Sequence, residues 1–241
     1  MVGLGTIINV GGVILGGLLG FLGGKLIKEH HQDALTKVCG VCVLFIGVGG
    51  ALEEMLTVDG SSVTSGKGMF IVICLALGAL IGEILNIERW FERFGEWLKV
   101  KTGNAKDKNF VEGFVTSSLT ICIGAMAIVG AIQDGISGDY SVLAVKAVLD
   151  LIIIMVLTCS LGKGCIFSAI PVALLQGSVT ALATLIKPIM TESALSNLSL
   201  IGSILIFCVG LNLVWGKKVR VANLLPAIII AVAVAFLPFE I

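Results

Sequence analysis

The chain has 241 residues, of which 57% are hydrophobic and 13% charged, with 16 basic against 16 acidic residues. A soluble domain runs at about 45–50% apolar and about 25% charged, so there is too little polar surface here to coat a globule in water, and a mean hydropathy of +1.08 calls for lipid around the chain. Zero net charge, with no basic patch interleaved with aromatics outside one short segment, excludes a nucleic-acid partner.

The apolar residues come in blocks of ~20, the length that spans a hydrocarbon core of ~30 Å as a helix. Eight such segments are predicted, at 3–26, 34–56, 68–87, 110–133, 140–161, 165–186, 195–215 and 221–239. The first lacks a basic leader and is too long and Gly-rich for a signal peptide, so it is expected to be retained. It carries Gly12, Gly16, Gly20 and Gly24 at four-residue spacing. Glycines so spaced share one helix face and admit another backbone closely, from the same chain or from a second copy. Asn9 is an amide within this segment.

The second segment contains VLFIGV at 43–48 and the third LGALIG at 77–82. The latter resembles LGGLLG at 15–20, and the former resembles IFCVGL at 206–211 in the seventh segment. These echoes point to an inverted repeat of spans one to three onto six to eight. Next comes ERWFERFGEWLKVK at 88–101, with Trp90, Phe91, Phe94, Trp97 and Leu98 at helical spacing between charges. That pattern is an amphipathic helix lying at the bilayer surface.

The fourth segment holds Thr116, Ser117, Ser118 and Thr120 at one end and Gln133 and Asp134 at the other, with Asp139 beyond. The fifth places Asp150 near mid-membrane with Lys146 four residues earlier, on the same helix face. A charge at that depth costs about 2.5–3.5 kcal/mol on insertion scales. The pair is therefore either a structural ion pair or a titratable site beside a solute or ion path. Only Gly162, Lys163 and Gly164 separate the fifth and sixth segments, and a re-entrant element there would reduce the count to seven. The sixth segment reads SAIPVALLQGSVTALAT at 168–184. Pro171 is expected to kink it and expose backbone near Gln176, Ser178 and Thr180. Asn212 in the seventh adds further polarity, and Asn223 with Pro226 in the eighth is expected to form a similar kinked arrangement.

Basic residues alternate strictly between connections. Those after spans one, three, five and seven hold 13 of the 16, those after two, four and six hold only Lys67 and Lys187, and Lys146 lies within a span. By the positive-inside rule both chain ends lie outside the cytoplasm.

Enzymatic chemistry finds little support. The histidines are His30 and His31, side by side, so Ser137 in GISG at 135–138 has no base in the later spans. There is no H-E-x-x-H and no G-x-x-x-x-G-K-[ST]. Seven cysteines, irregularly spaced and mostly in apolar runs, give no disulfide framework, and Cys39-x-x-Cys42 lacks a second ligand pair. No cofactor or metal is expected.

The opening GTIINVGGVILGGLLG, the middle GAMAIVGAIQDGISGD and the ending VRVANLLPAIIIA together resemble the YqgA and YdfK type of bacterial inner-membrane protein, in order and over nearly the whole chain. The resemblance implies a bacterial cytoplasmic membrane and supplies no substrate or site residue. The expectation is an all-α polytopic bundle over 1–241, a single transmembrane domain with one interfacial helix. It would be a secondary transporter of a small solute or ion, driven by an ion gradient, with Asp150, Lys146, Gln176, Ser178, Thr180, Asn9, Asn212, Asn223, Asp134 and Gln133 along the path. The alternatives are a channel, or a scaffold that oligomerises through Gly12, Gly16, Gly20 and Gly24.

Overall fold

The computed structural model describes residues 2–24, 29–60, 62–123 and 125–236. Lys25, Lys28 and the end of the predicted eighth segment lie outside the described residues, as do the side chains of His30 and Cys39. Eleven helices are described: α1 (Leu4–Gly24), α2 (Glu29–Met55), α3 (Gly68–Leu85), α4 (Ile87–Lys101), α5 (Phe110–Cys122), α6 (Ala125–Ser137), α7 (Ser141–Leu161), α8 (Ala169–Ala181), α9 (Ala183–Ile186), α10 (Glu192–Trp215) and α11 (Pro226–Val234). Short 3-10 turns, Lys163–Ser168 and Val221–Leu224, lead into α8 and α11.

Six helices are long and apolar enough to cross a membrane, and a seventh span results if the bent pair α5–α6 is counted as one. The expected eight is not reached. The last apolar stretch, Val221–Val234, is shorter than the others, about 21 Å at 1.5 Å per residue. The fifth and sixth segments are nonetheless separate helices, divided at Gly162, whose φ of 83° suits a residue without a Cβ. Spans two and three are joined by an exposed antiparallel hairpin, β1 (Leu56–Asp59) and β2 (Ser62–Ser65), in which Asp59 pairs with Ser62 and the turn opens on Gly60 at a φ of 59°, a conformation that suits a residue without a Cβ.

The glycine ladder of α1 meets α7 of the same chain. A Cβ on Gly12 would strike the Ala147 carbonyl at 2.8 Å and one on Gly24 the Cys159 carbonyl at 3.0 Å, while Gly16 and Gly20 press still closer on the carbonyls of Leu151 and Met155. Each step of four along α1 advances four along α7, so the two helices run parallel with backbones in contact. A second copy has no access to that face.

Helix α2 packs on α10 in the opposite sense, and the contact is reciprocal. A Cβ on Gly47 would meet the Phe207 nitrogen at 2.6 Å, and one on Gly210 would meet the Leu44 nitrogen at 2.8 Å. Gly47 and Gly210, like Leu44 and Phe207, occupy equivalent places in VLFIGV and IFCVGL. This pair thus has the isologous contact that a two-fold axis produces. Helix α3 crosses α11 through Gly78 on Ala227 and Gly82 on the Asn223 carbonyl, again antiparallel. Span one parallel to five, two opposed to seven and three opposed to the last helix are the directions that alternating spans require.

Both predicted proline kinks are helix starts instead. Pro171 sits in the first turn of α8 and Pro226 opens α11, each just after its 3-10 turn. There a missing N–H costs nothing. The break that does interrupt a span lies in the fourth, where α5 and α6 meet at 63° without a proline.

Helix α4 forms one residue earlier than expected. It buries Glu88, Gly95 and Leu98, and it leaves Trp90 and Trp97 exposed. Phe94 stacks on Trp97, with ring centroids 5.8 Å apart, and tilts onto Phe114 of α5. The helix is therefore docked on the bundle while offering two indoles outward, where interfacial tryptophans belong.

Candidate functional site

Asp150 lies at the middle of α7 and is 3% exposed; Lys146, one turn earlier, is 8% exposed. The ammonium donates to both carboxylate oxygens at 2.7 Å. Two groups that could not be buried singly are thus buried as a closed, electrically neutral pair. The Asn9 amide of α1 lies beside the Asp150 carboxylate, and Cys122, the last residue of α5, is within electrostatic reach of both charges. The 63° break therefore stands next to the pair.

Helices α1, α6, α7 and α8 pack on one another around this point. Helix α8 runs antiparallel to α1: Thr180 and Thr6 share a hydrogen bond of 3.3 Å between hydroxyls, and Ile166 abuts Gly17. That register sets Gln176 level with Asn9. Asn9 is 0% and Gln176 1% exposed. Among the described residues the Asn9 amide nitrogen is turned to the Asp150 carboxylate, while its carbonyl oxygen completes no hydrogen bond, nor do the carbonyl oxygens of Gln176 and Gln133 or the hydroxyl of Thr158. An unmade buried hydrogen bond costs about 1–3 kcal/mol, so this concentration of unpaired amide oxygens is expensive in a helix bundle where most other buried hydroxyls are paired. Ser117, Ser118 and Thr120, for example, donate to carbonyls one turn back on α5.

Other predicted path residues are placed elsewhere. The Asp134 carboxylate is fully buried and accepts from the Gly3 and Gly5 nitrogens at 3.1 and 3.0 Å. It caps the start of α1, whose first N–H groups have no partner within the helix. Ser178 is exposed and donates to Leu175, away from the buried group. Asn212 accepts from Lys218 and Val219 and donates to the Val219 carbonyl, holding the bend after α10. Asn223 accepts from the Glu88 nitrogen and donates to Glu83, tying α4 to the turn before α11. The predicted set thus divides into Asn9, Lys146, Asp150 and Gln176 around one centre, with Thr180 one turn beyond Gln176, and into residues that fasten helix ends; Gln133 is half-buried on α6 next to Asp134. Cys122 and the break beside it carry no sequence signal beyond Gly124 in an apolar run.

At the end of the bundle that carries α4, a cleft of about 680 Å³ opens between α2, α4, α5 and α10. Its mouth holds Asp33, Glu88, Glu92, Glu96 and Glu112 with Lys37, Lys108 and Lys217, and its depth reaches Thr116, Leu119 and Val209. Leu119 is three residues from Cys122. Lys217 reaches across the mouth to Glu88 at 2.5 Å and Glu92 at 2.7 Å. Burial alone would lower its pKa, but these two hydrogen bonds outweigh that and hold it above the usual lysine range.

Comparison with known proteins agrees with this architecture. The chain is 28% identical over 232 residues to the uncharacterized membrane protein YdfK of Bacillus subtilis (strain 168), covering 96% of this chain and 95% of that one. It is 30% identical over 241 residues to the uncharacterized protein YqgA of Escherichia coli (strain K12), covering 95% and 94%. No solved structure matches. Residues 4–236 match the family described as Protein of unknown function (DUF554), and with that extent of match the chain is a membrane protein belonging to this family.

Proposed function

We propose that the chain is a secondary transporter of a small polar solute or ion in the bacterial cytoplasmic membrane. In this reading the α4 end faces the cytoplasm and both chain ends lie on the other side, as the distribution of Lys and Arg requires. The observation that carries the proposal is the neutral Lys146–Asp150 pair, buried mid-helix beside amide oxygens without partners and flanked by a broken span. A pair needed only for packing has no use for idle amide oxygens beside it, and broken helices are where carriers present backbone to a solute. The cleft at the α4 end supplies an approach toward the break, reaching Leu119 three residues from Cys122. A pair closed on itself across the centre suits a carrier with an occluded step rather than a channel. The scaffold alternative loses its surface, because α7 already covers the glycine face.

The test is gradient-driven flux in reconstituted vesicles, followed by a trapped pH dye while a panel of small solutes is added outside. Asp150→Asn is expected to insert and to abolish the response. Because it strands Lys146, the charge-neutral double variant Lys146→Gln/Asp150→Asn is measured beside it and is expected to be equally inactive. Full flux by the double variant would remove the pair from the mechanism.

A further inference from the structure

The charge balance and hydrogen-bonding capacity of the buried group define which solute it suits. Resting on the transport reading, we infer that the solute is a small zwitterion, carrying an ammonium and a carboxylate a few ångströms apart, as a neutral α-amino acid does.

The argument begins with charge. The site holds one cation and one anion, Lys146 and Asp150, both more than nine-tenths buried and satisfied by each other. A lone cation that took Asp150 would leave the Lys146 ammonium unpaired in a low-dielectric interior. A lone anion that took Lys146 would strand Asp150 in the same way. Breaking a buried pair by removing one partner leaves an uncompensated charge in the interior, and that penalty would be set against binding of any singly charged solute. A zwitterion exchanges one pair for two: its ammonium takes Asp150 and its carboxylate takes Lys146. The interior stays neutral, and no charge loses its counter-charge.

The geometry of the break agrees. Helix α5 ends at Cys122 and α6 begins at Ala125, so this place offers the carbonyl end of one helix and the N–H end of another. Their partial charges favour a cation at the first and an anion at the second. The second, independent observation is Asn9. It is fully buried, its amide nitrogen is turned to the Asp150 carboxylate, and its carbonyl oxygen has no partner. The unengaged carbonyl oxygen of Gln176 stands at the same level. A group of both signs with N–H and C–O partners at hand uses all of these; a bare metal cation or a simple anion uses half.

The experiment is thermal unfolding of the purified full-length protein in lipid nanodiscs, with each neutral α-amino acid, the alkylamine that lacks its carboxylate, and the carboxylate that lacks its amine. At least one amino acid is expected to raise the midpoint by about 3 °C at tenfold excess over its Kd. The matching amine and carboxylate are expected to leave it unchanged, and Lys146→Gln/Asp150→Asn to lose the shift. An equal shift from the amine or the carboxylate alone, no shift from any amino acid, or a shift that survives the double variant overturns the inference. Flux in vesicles separates this from failure of the transport reading. Pair-dependent flux of an amine or an inorganic ion would keep the carrier and discard the zwitterion.

Discussion

At the scale of single residues, Asp150 and Lys146 are defined by each other. Removing one charge is expected to cost more than removing both, since the survivor is left buried and unpaired. Asp150→Asn should therefore lower stability by about 3 kcal/mol relative to the double variant Lys146→Gln/Asp150→Asn. Thermal unfolding in nanodiscs checks the order, and equal midpoints would mean that water already reaches the pair. The candidate site was legible in the sequence where a residue type is costly at its depth: Asp150, Lys146, Asn9 and Gln176 stand out in apolar runs for that reason. The other half of the predicted list was not separable from them. Asp134, Asn212 and Asn223 are as polar, but their partners are the backbone groups at the start of α1 and around 88 and 218–219. Only tertiary structure says which helix end each one closes.

At the scale of elements, the glycine ladder of α1 was readable because its spacing matches the helix period, but the spacing is silent about its partner. The parallel match to α7 is expected to make this seam intolerant of bulk. Gly16→Leu should destabilise by about 3 kcal/mol through overpacking, whereas Gly11→Leu, which has open space around it, should be nearly neutral. Folded yield and unfolding midpoint in detergent distinguish them, and equal tolerance at both positions would contradict the packing. The break between α5 and α6 escaped sequence reading because it uses no proline, while the two prolines that did attract notice start helices. The hairpin at Gly60 could have been found from its alternation around a turn glycine.

The brace from Lys217 to α4 is likewise an element-level device. With its pKa held above the usual range, the cation contributes stability that is fully present below the ordinary lysine value of about 10.4. That contribution is lost as pH rises through the raised one. At neutral pH Lys217→Gln is expected to speed tryptic cleavage in the 102–109 loop several-fold by releasing α4, and unchanged cleavage would show the brace to be idle.

At the scale of the whole molecule, alternation of the basic residues agrees with the relative direction of every helix pair described above, although among the described residues only six or seven spans are long and apolar enough to cross a membrane. Direction was legible because charge records which side each connection lies on. Length was less so, because a 14-residue apolar helix and a full span have the same composition. What joins the three scales is a neutral buried pair held where two half-helices meet, with an acid-rimmed cleft approaching from one end. That arrangement has a use only if solvent and solute come to the pair. The direct measurement is labelling of Asn9→Cys, with the native cysteines replaced, by a membrane-impermeant maleimide in right-side-out and inverted vesicles. Reaction from at least one side, at a rate that changes when the gradient is collapsed, is the expected result. No reaction from either side, while Ser137→Cys at an exposed position labels fully, would contradict the account.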